Sequence, residues 1–277
     1  LKRPWPRRCC PDRPAVLPLR PPLHDSLGAR FVVHTHPALV NGMTCAKDGR
    51  AACRRLFPEA LWMDYVDPGY TLCIAVRDRI ARYRAEQGRQ PAVIFLKNHG
   101  VFVAANTPQE IRDLYAMIVD RLSAEYAKAK CSTRLDIPPL PAHLDLETCR
   151  GLIRQAFKED TLCVTASGLF PVADGPLSPD HIVYAKSYPL KDRPSPQAVA
   201  DYRQRYGYPP QIFVWDGVVC GLGASEKKAA LALQLAQNGA LVRQLAEAFG
   251  GVDYMTEQAR LFIEGWEVES YRSSQIE

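Results

Sequence analysis

Apolar and polar positions along the chain follow two periods, which alternate from segment to segment. Short stretches rich in β-branched or apolar residues predict strands: RFVVHTH (30–36), ALWMDYV (60–66) and the two arms of PAVIFLKNHGVFVAA (91–105). Helices are predicted for PALVNGMTCA (37–46), DGRAACRRLF (48–57) and TLCIAVRDRIARYRAEQG (71–88), the last ending at Gly88. Thr107 as a cap, Pro108 and Glu110 together predict the start of a long helix that continues to about Ala129.

The same order of signals returns in the second half of the chain. Residues 132–142, STRLDIPPLPA, are proline-rich and predict a linker, after which we predict a helix over 144–158 and a strand at TLCVTAS. The segment from PPQIFVWDGVV to LAEAF then repeats the strand, turn, strand, cap and long helix of residues 90–127. This echo is either chance or an internal duplication. In a duplication, Asp216 or Trp215 stands where the first copy has His99.

Composition and charge restrict the class of protein. The chain has 277 residues, 47% of them hydrophobic, which is typical of a globular protein with a core. No window is apolar enough for a membrane helix and no signal core follows the basic start, so we expect a cytoplasmic protein without a membrane partner. The nine cysteines show no CxxC pair, and we expect reduced, mostly buried thiols.

The net charge of +5 lies in one place. Residues 1–22 hold six basic residues, one acidic residue and seven prolines, while the rest of the chain is neutral. A basic arm could bind nucleic acid, but the body shows no basic stripe. We therefore expect a disordered or displaced Pro/Arg-rich arm and no nucleic-acid partner.

Two histidines in the first predicted strand are the candidate chemistry. Residues i and i+2 of a strand point to the same face, so His34 and His36 can converge on one ion while Thr35 points away. His99, in the turn with Asn98 and Gly100, is the candidate third ligand. Three imidazoles with an open fourth position are typical of a catalytic divalent metal: zinc first, with manganese or cobalt as alternatives. His24, His143 and His181 stand alone, and for a lone histidine a hydrogen-bonded structural role is the default.

Three motifs in this order resemble a known family. PPLHDSLGARFVVHTHPALVNG (21–42), VDPGYTLCIAV (66–76) and VIFLKNHGVFVAANTPQEI (93–111) are similar to the class II aldolase/adducin domain over about residues 23–129. LSPDHIVYAK (177–186) and YMTEQARLFIEGWEVESYR (254–272) resemble longer bacterial members, which include the aldolase part of rhamnulose-phosphate aldolase/dehydrogenase fusions.

The resemblance carries several expectations. It implies an α/β fold, a three-layer α/β/α class II aldolase-like domain with a smaller C-terminal α/β region. The expected division is an arm at 1–22, a metal-binding domain at 23–131, a linker at 132–142 and the C-terminal region at 143–277. Zinc on His34, His36 and His99 would polarise a ketose 1-phosphate for cleavage to dihydroxyacetone phosphate and an aldehyde. Asn98, Gly100, Asp180, His181 and Tyr184 are candidate substrate-binding residues, and a homo-oligomer is expected.

Two family features are missing from the sequence. The family's acid/base glutamate lies four residues before the histidine that matches His24, where this chain has Arg20, and no Gly/Ser/Thr-rich phosphate loop precedes it. The catalytic residue is therefore unknown. Either the start replaces a lost N-terminal part, or the protein is a non-catalytic, adducin-like scaffold. Epimerase, dehydratase and decarboxylase activities use the same ligands and also remain open.

Overall fold

The computed structural model describes residues 26–265. The first half contains strands β1 (Phe31–Thr35), β2 (Leu61–Met63), β3 (Val93–Leu96) and β4 (Gly100–Ala105), and helices α1 (Ala38–Thr44), α2 (Gly49–Leu56), α3 (Tyr70–Gln87) and α4 (Pro108–Lys128). These elements confirm the predicted order of strands and helices. Gly88 ends α3 in the left-handed conformation, and Thr107 and Glu110 form the capping box of α4.

The first sheet has the strand order β1-β4-β3-β2, with β2 parallel to β3 and the other pairs antiparallel. Its side chains alternate between two cores. Val101 and Val103 of β4 pack against α1, α2 and α4, whereas Phe102 and Ala104 pack against α3 on the opposite face. The sheet is therefore covered by helices on both faces, as the α/β prediction requires.

The second half contains strands β5 (Cys163–Gly168), β6 (Leu190–Lys191), β7 (Ile212–Trp215) and β8 (Val218–Gly223). Its helices are α5 (Leu146–Phe157), α6 (Pro179–Ala185), α7 (Pro196–Tyr206), α8 (Glu226–Ala246) and α9 (Glu257–Gly265), with a 3₁₀ turn at Glu247–Phe249. The strand order is β5-β8-β7-β6, and again one pair, β6 with β7, is parallel. Helices α5 and α7 cover one face and α8 covers the other.

The two sheets share one topology, which supports an internal repeat. The last residue of β4 pairs with Phe31 of β1, and the last residue of β8 pairs with Cys163 of β5, so Phe31 and Cys163 are equivalent positions. Counting forward from this pair, Ala166 is equivalent to His34 and Gly168 is equivalent to His36. The residue just before β8 is Gly217, so Gly217, and not the predicted Asp216 or Trp215, is equivalent to His99, the residue just before β4. The turn between β7 and β8 is one residue shorter than the turn between β3 and β4. The second half thus has the frame of the first without its histidines.

Helix α8 joins the two halves. Ala232, Leu233 and Ala236 of α8 pack on the second sheet, while Leu245 and Ala246 at its end enter the core beneath the first sheet. The proline-rich residues 132–142 have no regular element, but Leu135 and Ile137 pack against the α8 core. The two halves therefore meet along α8, which brings residues of the second half to the end of β1.

Two further expectations concern cysteines and membranes. All seven cysteines in the part of the chain that the structure describes lack a disulfide, and five of them are buried. Among residues 26–265, the helices are too short or too polar to cross a lipid bilayer.

Candidate metal centre

Strand β1 and its pairing with β4 set the direction of His34 and His36. Both rings lie on the α3 face of the sheet, and the His34 ring stacks on Phe102, its cross-strand partner, with ring centroids 3.9 Å apart. Thr35 points to the opposite face, where its hydroxyl lies 2.7 Å from the Tyr115 hydroxyl. The two-residue period of the strand thus directs the two candidate ligands to one face and Thr35 to the other, as predicted.

The turn between β3 and β4 carries His99. Asn98 has a positive φ of 51° and is buried. Its side-chain amide donates hydrogen bonds to the carbonyls of Leu177 (3.0 Å) and Asp253 (2.8 Å), both in the second half of the chain. Its backbone N–H donates to the carbonyl of Thr44 at 3.0 Å. These three bonds fix the turn and therefore the position of His99.

Gly100 allows the strands to approach beside the site. A Cβ atom at this position would lie 2.4 Å from the Thr35 carbonyl oxygen and 2.5 Å from Cδ2 of the His36 ring. Both contacts are closer than real Cβ atoms tolerate, and one is to backbone. The absence of a side chain at Gly100 is therefore what leaves room for the His36 ring.

The three histidine rings converge on one point. His34 Nε2 lies 2.9 Å from His36 Nε2 and 3.4 Å from His99 Nε2, and one ligand atom from each residue lies within 4.8 Å of the others. Nitrogen ligands about 2.0–2.1 Å from a tetrahedral zinc ion are separated by roughly 3.3 Å. The donor set and spacing fit a divalent ion with one position left for another ligand.

The hydrogen bonds at Nδ1 of His34 and His36 indicate which nitrogen of each ring is available for an ion. His34 Nδ1 lies 3.0 Å from the Val101 carbonyl, and His36 Nδ1 lies 2.5 Å from Asp180 Oδ2. Because a carbonyl and a carboxylate accept hydrogen bonds, these contacts favour the tautomers in which Nδ1 donates and Nε2 is the nitrogen that can bind an ion. This arrangement is the one that metal-ligating imidazoles require.

Asp180 reaches the site from the start of α6, in the second half of the chain. Burial raises the pKa of its carboxyl, but the hydrogen bond from His36 and the fields of His36, His99 and His181 outweigh burial and lower the pKa to about 2. The carboxylate is therefore ionised at neutral pH. It stabilises the His36 tautomer and adds negative charge beside a prospective cation.

Removing the Asp180 carboxylate tests this role. We expect Asp180→Ala to weaken divalent-metal affinity by about 10- to 100-fold, because His36 loses the acceptor that orients it. Asp180→Asn, which retains an acceptor oxygen without the charge, should lose less. The measurement is competitive titration of the purified protein against a fluorescent zinc chelator, and equal affinity in all three proteins would contradict the role.

A cavity of about 260 Å³ lies beside the histidines. His36, Asn41, Ser178, Asp180, His181, Gln234, Leu235 and Asn238 line it. His181 is held on both sides: Ser178 Oγ lies 2.7 Å from Nδ1, and Asn238 Oδ1 lies 3.1 Å from Nε2. Burial, partly offset by the Asp180 charge, lowers the pKa of His181 to about 4. His181 is therefore neutral at physiological pH.

The structure places the other predicted site residues as follows. Asp180 and His181 line the cavity, whereas Tyr184 packs with the apolar cluster between α6 and α9. Asn98 and Gly100 shape the His99 turn. His143 lies in an exposed pair with Asp216, 3.5 Å away. The positions of Arg20, His24 and the basic arm lie outside the described residues.

Sequence reasoning missed several cavity residues. Asn41 is fully buried on α1, and Asn238 and Gln234 come from α8, almost 200 residues further along the chain. One signal was available for Asn41: a single carboxamide within the apolar stretch PALVNGMTCA is unusual on a buried helix face. No local pattern distinguishes Asn238 or Gln234.

Comparison with known proteins agrees with the geometry. Residues 22–126 match the family described as Class II Aldolase and Adducin N-terminal domain, a range that includes β1 to β4 and all three histidines of the centre. Searches of curated proteins and of solved structures found no match. The chain therefore contains a domain of the class II aldolase and adducin family, spanning residues 22–126.

Proposed function

We propose that the protein is a metal-dependent, aldolase-type lyase that cleaves a sugar phosphate, a ketose 1-phosphate, into dihydroxyacetone phosphate and an aldehyde. Zinc is the expected ion, with manganese or cobalt as alternatives, since all three accept imidazole ligands. The observation that carries the proposal is the convergence of His34, His36 and His99 within a class II aldolase/adducin domain.

Each residue of the centre has a defined part in this activity. His34, His36 and His99 would hold the ion through Nε2. When bound, the ion would supply Lewis-acid stabilisation of negative charge that develops on a substrate oxygen. The Val101 carbonyl and the Asp180 carboxylate keep the protons on the outer nitrogens of His34 and His36. Asn98 holds the turn that positions His99.

The test is cleavage of a panel of ketose 1-phosphates by the zinc-loaded protein. Dihydroxyacetone phosphate would be detected by coupled reduction with a glycerol-phosphate dehydrogenase and NADH. We expect His36→Ala to lower kcat/KM for the best substrate by about a thousandfold, because Lewis-acid stabilisation contributes several kcal/mol. His143→Ala, which changes an exposed histidine outside the site, should retain full activity.

Two results would contradict the proposal. Undiminished cleavage by His36→Ala would show that the metal takes no part in the reaction. If the zinc-loaded protein cleaves no ketose phosphate, the proposed lyase activity is wrong. In the second case, analysis of the same incubations by NMR would reveal epimerisation, dehydration or decarboxylation, which the same ligand set can support.

A non-catalytic scaffold is the second candidate, and one feature of the sequence favours it. Arg20 stands where the resemblance places the acid/base glutamate. A scaffold, either metal-free or stabilised by metal, would assemble into a homo-oligomer without turnover. Light scattering of the purified protein measures its mass, and robust turnover of any ketose phosphate would exclude this candidate.

A further inference from the structure

Three residues of the second half, Ala166, Gly168 and Gly217, stand at the positions that the three histidines of the metal centre have in the first half. We call these three residues the strap site. None of them has a side chain larger than a methyl group, so the sheet itself leaves free the space that the imidazoles fill in the first half. Another part of the chain occupies this space.

Residues 138–141, with the sequence PPLP, lie against the strap site, and we call them the strap. A Cβ atom at Gly168 would overlap the carbonyl oxygen of Pro138. A Cβ atom at Gly217 would lie 3.0 Å from Cγ of Pro141. The strap therefore contacts the two backbone positions whose equivalents in the first half carry candidate metal ligands.

Leu140 is the apolar anchor of the strap. Its side chain packs against the core under α5 and α7, the same core against which Ala166 packs. Leu140 is half-buried, whereas Pro138 and Pro139 remain exposed. Proline-rich segments bind shallow grooves in this manner, with one face of an extended chain in contact and the other in solvent.

The composition of the strap suits such a site. Three of its four residues are prolines, which have no backbone N–H and a φ fixed near −65°. The strap therefore loses little conformational freedom when it is held in place. Among its residues only Leu140 has a backbone N–H that needs an acceptor. A segment of this kind is preorganised for a site that offers backbone and apolar contacts instead of a ladder of hydrogen bonds.

Further contacts hold the chain on both sides of the strap. Before it, the Gln244 side chain of α8 donates hydrogen bonds to the carbonyls of Ser132 (2.6 Å) and Arg134 (3.1 Å). After it, the Leu144 N–H donates to the Pro141 carbonyl at 3.0 Å. These contacts keep the strap beside its site at a high local concentration, so even a weak intrinsic affinity is sufficient to keep the site filled.

We propose that the strap site is a binding site for an extended proline-rich segment and that the strap is its ligand within the chain. The ligand class is a peptide segment of the PxxP type with an apolar residue between the prolines. Gly168 and Gly217 make the site accessible to a backbone where the first half has imidazoles. The inference is independent of the proposed lyase activity, since the strap site contains none of the three histidines.

The test separates the strap from its site within the full-length chain. In the strap variant, Pro138→Gly, Pro139→Ser, Leu140→Gly and Pro141→Ser replace the strap without changing its length. The probe is a fluorescein-labelled peptide with the sequence of residues 137–143, IPPLPAH, and fluorescence anisotropy measures its dissociation constant. We expect saturable binding to the strap variant and at least about tenfold weaker binding to the wild type, whose own strap competes at an effective concentration of about 1 mM.

Two further substitutions, each added to the strap variant, locate the binding. Gly168→Ala places a methyl group where the Pro138 carbonyl lies, so peptide affinity should fall by at least about tenfold. Gly151→Ala adds a methyl group on α5 with no atom within 4 Å and should leave peptide affinity unchanged. A peptide with alanine in place of Leu140 should bind about tenfold more weakly than the original, because it lacks the apolar anchor.

Three results would overturn the proposal: no saturable binding to a folded strap variant, equal binding to the wild type and the strap variant, or equal binding with and without Gly168→Ala. Circular dichroism measures whether the strap variant is folded. If it does not fold alone, it is refolded with excess peptide. Recovery of the wild-type spectrum would then support the strap site, and a spectrum that stays unfolded would overturn it.

Discussion

Replacing His99 with alanine is expected to abolish divalent-metal binding by the purified chain. The wild type should carry about one zinc per chain, because three converging Nε2 atoms match the donor set of a catalytic zinc site. With His99 removed, only the pair on β1 remains, 2.9 Å apart at Nε2. A two-histidine site lacks a protein ligand of the usual catalytic set, so retained zinc should fall below about 0.1 per chain after dialysis.

Elemental mass spectrometry of dialysed protein measures this change, with circular dichroism as the check on folding. His143→Ala is the matched control, since His143 is an exposed histidine whose neighbour is Asp216. It should retain the zinc of the wild type. Equal zinc in His99→Ala and the wild type would refute the three-histidine centre, and absence of metal from the zinc-reconstituted wild type would refute a metal centre altogether.

Gly100→Ala is expected to destabilise the protein and disturb the metal centre together. The new methyl group would lie 2.4 Å from the Thr35 carbonyl oxygen and 2.5 Å from Cδ2 of His36. The oxygen belongs to a strand paired on the sheet, so the strand or the His36 ring must shift. We expect a loss of about 2–4 kcal/mol in the free energy of unfolding, typical of severe overpacking in a core.

Urea unfolding of the metal-free protein measures the loss of stability, and chelator competition measures the affinity for zinc. Gly151→Ala is the control: Gly151 lies on α5, and a methyl group there would have no neighbouring atom within 4 Å, so alanine should be neutral or stabilise the helix by about 0.5–1 kcal/mol. If Gly100→Ala matched the wild type in both stability and zinc affinity, the close approach of the strands at Gly100 would be wrong.

Local sequence patterns were sufficient for the strands and helices of the first half of the chain, whereas α6, β6, α7 and α9 of the second half were not predicted. Thr107 and Glu110 satisfy each other's backbone N–H groups at the start of α4, and Gly88 takes the left-handed conformation that ends α3. Both signals act over a few residues, so they do not depend on the rest of the chain. The same holds for His34 and His36, whose shared direction follows from the two-residue period of a strand.

The repeated topology was visible in the sequence only as an echo. Similar apolar runs and capped helices suggested the repeat. The sequence predicted Asp216 or Trp215 as the equivalent of His99, whereas the paired strands give Gly217, because the two hairpin turns differ in length by one residue. A difference in turn length shifts which residues of the two hairpins are equivalent, but it does not change the apolar pattern of their strands. Only the paired strands of the structure could place Gly217 at the position of His99.

The sequence by itself determined the order of strands and helices in the first half, their caps, and the pair of histidines on one face of β1, because each follows from interactions between near neighbours in the chain. Tertiary structure decided what surrounds those histidines. Asp180 contacts His36 from 144 residues away, and Asn98 is held by the Leu177 and Asp253 carbonyls, 79 and 155 residues away. Such contacts arise from the packing of α6 and α8 against the first half, which local periodicity does not encode.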